Sequence, residues 1–153
     1  MLQSLEREVG VLMRRSRRVV AERAAMVAEE LTPAAYLMLA HLTHAGPRRA
    51  SDLVDTFHLD KGAVSRSVHM LVELGLVTKE ADPEDGRAVI LSVTDLAERR
   101  VREVSRARLG VLEDVMDEWS QEDLAGFVKA FSRYNEMLER AVSERHGAPR
   151  TQC

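Results

Sequence analysis

Several side chains in this sequence have types and spacings suited to recognition rather than to making and breaking bonds. Residues Asp82 to Arg87, DPEDGR, set three carboxylates, a proline and a glycine beside one arginine. Proline and glycine fix such a stretch as a turn. Arg87 would then stand at the edge of a rigid loop, with Asp85 two residues away to orient its guanidinium. A second group, Ser65, Arg66 and His69, recurs at helical spacing with Gly62 and Glu73 and makes a polar stripe. Its hydroxyl, guanidinium and imidazole can hydrogen-bond to a flat polar edge, and Lys61 at its start supplies a point charge for an anionic backbone. Arg14 and Arg18 lie one helical turn apart within a cluster of four arginines. Each group also has a plainer reading. Arg66 and His69 form a solvated helix face, Arg87 pairs with Asp85 or Glu84 on a surface turn, or the N-terminal arginines are solvated charges.

Other chemistries lack their residues. His41 and His44, three apart, can put two imidazoles on one helix face. The long helix expected after the DPEDGR segment has no histidine, however, and no cysteine lies near, so no metal is expected. Cys153 is the lone cysteine; it cannot close an internal disulfide, and no cationic setting in the sequence would lower its pKa. There is no glycine-rich phosphate loop, nucleophile–base motif or metal-ligand set. Neither an enzyme nor a cofactor is expected.

The elements that must position these groups follow from composition and period. A chain of 153 residues, 45% hydrophobic and 31% charged, suits one folded domain. No run of 18 apolar residues and no charged-then-apolar leader occurs, so a cytoplasmic location without membrane association is expected. Leu2, Leu5, Val9, Leu12, Val19 and Met26 recur at three- and four-residue steps, with breaks at Ser16 and Arg23, and predict one amphipathic helix over 2–30. Thr32-Pro33 restarts a helix, threonine as N-cap and proline at the first helical position. It carries Tyr36, Leu37, Leu39, Ala40 and Leu42 and stops near Gly46-Pro47. A short helix follows around 51–57. Asp60 caps a helix over about 61–74, with Val64, Val68, Leu71 and Val72 inward and Gly75 at its end. The period then falls to two, and residues 76–81 and 88–93 read as strands joined by DPEDGR. Thr94 caps a long helix with Ala97, Val101, Val104, Val111, Val115 and Trp119 on one side. Ser120 and Asp123 open a last helix carrying Leu124, Phe127, Phe131, Tyr134, Leu138 and Val142. Residues 147–153 are expected to be a disordered tail.

Three helices and then a hairpin, between long terminal helices, make a winged helix-turn-helix: a mainly α fold with a small β-hairpin. In that arrangement the third helix enters the major groove of DNA and the hairpin tip reaches the neighbouring minor groove. Lys61, Ser65, Arg66 and His69 would then face bases and phosphates. Arg87 would meet a narrow minor groove, where negative potential is concentrated.

The residues also resemble a family. LTPAAYLMLAHL, VSR in the recognition helix, LVELGLV leading into the first strand, the DPEDGR wing and LSVT closing the hairpin are together similar to the MarR (multiple antibiotic resistance regulator) family of transcription factors. The resemblance is densest from Leu31 to Thr94. It implies a single MarR-like domain over 1–153, with a winged helix-turn-helix lobe at 31–94 and dimerisation helices at 2–30 and 95–146. It further implies a homodimer on a pseudo-palindromic operator in double-stranded DNA, repressing its own or neighbouring genes. A small aromatic acid would release it by filling a cleft between lobes, for which Arg14, Arg18, Tyr36 and His41 are the lining residues. Gly86 stands where such wings often carry a first arginine, and Gly62 where a DNA-touching residue is common. Fewer DNA contacts are therefore implied.

The charge balance is a separate constraint. The net charge is -3, and from 48 to 87 six Lys/Arg meet eight Asp/Glu, so that segment is not a basic patch. A few well-aimed cations per subunit suffice for phosphate contacts, and a dimer doubles them. The same acidity favours the alternative, a helical protein–protein interaction module of winged-helix shape that does not read DNA.

Overall fold

In a computed structural model, which describes residues 1–147, most helix starts fall where a side chain takes up a free backbone N–H group, α1 excepted. α1 covers Leu2–Val27 and α2 covers Pro33–Ala45. Thr32 Oγ1 accepts from the Ala35 N–H at 3.3 Å, and Pro33 occupies the position where a missing N–H costs nothing. α2 ends at Gly46, whose φ of 75° suits glycine. The two-residue strand β1, Arg48–Arg49, leads into α3, Ala50–Phe57, and a short turn into α4, Lys61–Glu73. Asp60 Oδ1 caps α4 by accepting from the Ala63 N–H at 2.8 Å. β2, Val77–Ala81, and β3, Val89–Val93, follow. Thr94 then serves two elements at once: its hydroxyl accepts from Ala97 N–H at the start of α5, Asp95–Met116, and donates to the Gly75 carbonyl at 2.9 Å. Ser120 Oγ accepts from Asp123 N–H at 3.1 Å and opens α6, Gln121–Gly147.

The expected two-stranded hairpin is part of a three-stranded antiparallel sheet ordered β1-β3-β2. Arg48 pairs with Leu91 and Arg49 with Ile90; two residues are too few to display a period of two. α1 stops at Val27 rather than 30, because Ala28 adopts an extended conformation. Arg100 of α5 donates to the freed Val27 carbonyl at 2.9 Å. α5 ends at Met116, so Trp119 lies in the turn beyond it and not on the helix. Gly147, the first residue of the expected tail, is instead the last residue of α6; 148–153, with Cys153, lie outside the described residues.

The chain forms two compact units, Met1–Arg108 and Leu109 onward. In the first, Met38, Leu39 and Leu42 of α2 meet Leu53 of α3, Leu71 of α4, Leu76 and Leu91 in one fully buried core. α1 contributes Ala24 and Val27 to it, while Leu2, Leu5, Leu12 and Met26 of the expected stripe are exposed. In the second unit Trp119 meets Phe127 edge-on at 5.6 Å, and Phe127 stacks on Phe131 at 5.7 Å. These rings, with Val111 at 63% and Val115 at 65% exposure, form uncovered apolar surface in the single chain. Among the described residues no helix is long and apolar enough to cross a membrane. Leu71→Ala, which opens a cavity where α4 meets this core, should destabilise the fold by roughly 2–5 kcal/mol. Urea denaturation followed by circular dichroism measures it, and a loss under about 1 kcal/mol would contradict this description of the core.

Candidate nucleic-acid interface

α4 separates its residues by face. Val64, Ser67, Val68 and Leu71 are buried, whereas Lys61, Gly62, Ser65, Arg66, His69 and Glu73 are exposed. The outward stripe is the one expected from helical spacing. Arg66 lies back toward the start of the helix: a Cβ at Gly62 would come within 3.3 Å of Arg66 Nη1 and 3.0 Å of Asp60 Oδ1. Gly62 thus contributes no side chain but leaves room for both the guanidinium and the cap. His69 Nε2 sits 3.2 Å from Glu73 Oε1, both exposed, a pair weak enough to exchange for another partner. Lys61 and Ser65 also border a cavity of about 320 Å³ between α3, α4 and the sheet, with Val64, Val68 and Leu91 in its lining and Lys79 on the β2 side.

Two of the wing loop's three acids, Asp82 and Asp85, bond within the lobe. Asp82 is only 5% exposed, and Arg49 directs both Nε and Nη2 at its Oδ2, each at 2.6 Å. Its other oxygen accepts from the Glu84 N–H at 2.9 Å. The Glu84 N–H, followed by the Arg49 guanidinium, holds the Asp82 carboxyl below the usual carboxylate range, against burial, which pushes it up. Backbone bonds from Asp82 N–H to Ala88 O, 3.0 Å, and from Ala88 N–H to Asp85 O, 2.8 Å, close the loop. Asp85 was expected to orient the Arg87 guanidinium; its Oδ1 instead accepts from the Arg87 backbone N–H at 3.1 Å. Among the described residues no carboxylate forms an ion pair with that guanidinium, and Arg87 is exposed. Neither Arg49 nor the role of Asp82 was found from sequence. An aspartate opening a proline turn signals side-chain-to-backbone bonding, but nothing local points to a partner 33 residues away.

The four residues expected to line an effector cleft stand in different environments. Arg14 and Arg18 are exposed on α1, and Arg18 Nε pairs with Glu22 Oε1 at 2.8 Å, a hydrogen bond that pushes the guanidinium pKa up. Tyr36 is buried in the core. His41 is half-buried and meets Phe57 edge-on at 5.6 Å, while His44 Nδ1 lies 2.8 Å from the Ala40 carbonyl. Arg23, which interrupts the apolar seam of α1, has Nε and Nη2 buried without a hydrogen-bond partner among the described residues. Those two donors share the edge that receives a carboxylate bidentately.

The Asp82 contacts have a definite pH signature. A carboxyl with a lowered folded-state pKa stabilises the fold above its unfolded value of about 3.9, and that contribution is lost as pH falls through the lower folded value. The stability difference between wild type and Asp82→Asn, from urea midpoints, should be full at pH 6–7 and shrink below about pH 4. A difference independent of pH would contradict this account of the wing.

The fold and these contacts can be set beside known proteins. Residues 30–88 match the family model described as MarR family. The chain is 30% identical over 142 residues to the uncharacterized HTH-type transcriptional regulator YcgE of Bacillus subtilis, covering 89% of this chain and 92% of that protein. Among solved structures, a crystal structure of MarR superposes with a TM-score of 0.75 at 24% identity, covering 92% of this chain and 94% of that one. A mutant MarR from E. coli complexed with operator DNA superposes with a TM-score of 0.67 at 17% identity, covering 86% and 93%. The winged-helix fold is shared with these solved structures, and the chain belongs to the MarR family.

Proposed function

We propose that this chain is a homodimeric, sequence-specific DNA-binding repressor that a small aromatic acid releases from its operator. The observation that carries the DNA-binding part is the exposed stripe of α4. Lys61, Ser65, Arg66 and His69 stand outward while the opposite face is locked into the core, as a helix must be to enter a major groove. Arg87, on a closed loop and free of carboxylate ion pairs among the described residues, supports a minor-groove contact. The E. coli relative complexed with operator DNA supports the same reading. Exposed apolar residues on α1 and on the Leu109-onward unit support a second copy as their cover. With two-fold symmetry the operator is pseudo-palindromic.

The effector part has its own support. Glu22 is a partner that an incoming carboxylate would replace on Arg18. Such a ligand acts only through its preference for the form that does not bind DNA; a tenfold loss of DNA affinity needs about 1.4 kcal/mol of coupling.

The acidic balance favours the competing reading, an interaction module that ignores DNA, and salt-titrated anisotropy on DNA flanking the protein's own gene separates the two. Binding that exceeds that to scrambled DNA and weakens with salt is expected. Arg66→Ala should weaken it by about 1–3 kcal/mol, and Arg87→Ala should weaken it without altering a dimer seen by analytical ultracentrifugation. Equal affinity of both variants and wild type, or a monomer at micromolar concentration, would contradict the proposal. Millimolar salicylate-like acids should release wild type but release Arg18→Ala less. Identical release curves would remove Arg18 from the effector site and leave the repressor reading intact.

A further inference from the structure

The Arg49–Asp82 contact joins two parts of the lobe that sequence keeps far apart. The Arg49 backbone is fixed twice. It pairs with Ile90 in the sheet, and its N–H donates to Asp52 Oδ2 at 3.2 Å at the start of α3. From that fixed base the side chain crosses to the wing and grips Asp82. Beyond Asp82 the bonds continue through the loop. Oδ1 takes the Glu84 N–H, the Asp82 N–H reaches Ala88, Ala88 N–H reaches Asp85, and Asp85 Oδ1 takes the Arg87 N–H. An unbroken hydrogen-bonded path thus runs from the first turn of α3 to the backbone of Arg87.

We infer that Arg49 is a positioning residue for the wing: it fixes where Arg87 stands relative to α4, and so acts on DNA affinity through Arg87 rather than by touching DNA. The inference rests on the DNA-binding reading above and adds a residue outside its contact set. The burial asymmetry explains why this ion pair matters more than ordinary surface pairs. The Asp82 side chain is 4% exposed and that of Arg49 is 41%, so the carboxylate depends on its partner far more than the guanidinium does. Without Arg49, a nearly desolvated charge keeps the backbone N–H groups of its own loop and no cation. It regains hydration only if the loop opens, and an open loop no longer aims Arg87.

A double-mutant cycle tests this, using anisotropy on DNA flanking the protein's own gene, with Arg49→Met, Arg87→Ala, both together, and Arg49→Lys. Arg49→Met should weaken binding about tenfold, the size of one lost charge-assisted contact. Adding it to Arg87→Ala should cost nothing further, because the residue it positions is already gone. Arg49→Lys, which keeps one donor for Asp82, should recover most of the affinity. In free protein at pH 7, amide exchange at Glu84, Arg87 and Ala88 should quicken in Arg49→Met while the buried α4 amides stay protected. Should Arg49→Met fail to fold, Asp82→Asn takes its place in the same cycle. Additive losses would mean that Arg49 touches DNA itself and would overturn the inference; so would unchanged wing exchange. If wild type does not prefer its flanking DNA over scrambled DNA, the DNA-binding reading falls, and the exchange result alone then decides whether Arg49 fixes the wing.

Discussion

One helix has to satisfy two environments at once. α4 offers Val64, Val68 and Leu71 to the core and Lys61, Ser65, Arg66 and His69 to solvent, and its 3.6-residue period assigns each side chain to one face only. The remaining elements of the lobe follow from holding that helix still. α2 supplies Met38, Leu39 and Leu42, α3 supplies Leu53, and the sheet supplies Leu91. None of these needs to touch a ligand. Their work is to keep α4 from rotating, since a turn of about 100° per residue would carry the polar stripe into the core.

The acidic wing makes sense on the same terms. Counted by residue, DPEDGR repels a polyanion. Counted by contact, Asp82 is neutralised by Arg49 and bound by backbone N–H groups, and Asp85 is engaged by the Arg87 N–H. The Asp82 and Asp85 carboxylates hold the loop's shape, and Glu84 and Arg87 are left exposed. A charge sum over DPEDGR omits Arg49, which offsets Asp82, while the exposed carboxylates of Glu84 and Asp85 remain beside Arg87. What matters for an anionic partner is which charges are already paired.

Local features were legible in the sequence because their causes are local. Thr32, Asp60, Thr94 and Ser120 act within three residues, and each caps the helix it was expected to cap. The hairpin and the outward stripe of α4 rest on periods that a window of a dozen residues displays. The features that the sequence does not display depend on distance along the chain. β1 is two residues long and exists only because β3 lies beside it. The Arg49–Asp82 bridge spans 33 positions, and no local pattern marks either end as a partner. The spacing of Trp119 continues the helical pattern, yet α5 ends three residues earlier and the ring packs on Phe127. The apolar stripe of α1 was legible as well, and Leu2, Leu5, Leu12 and Met26 stand exposed in the single chain.

The central claim is that α4 and the wing read DNA as one body. Hydroxyl-radical footprinting of the purified protein on DNA flanking its own gene tests it most directly. The account predicts protected stretches related by two-fold symmetry, with half-sites about one helical turn apart or a multiple of it, and loss of the outer minor-groove protection alone in Arg87→Ala. Protection without symmetry, or none at about 0.15 M salt, would contradict it.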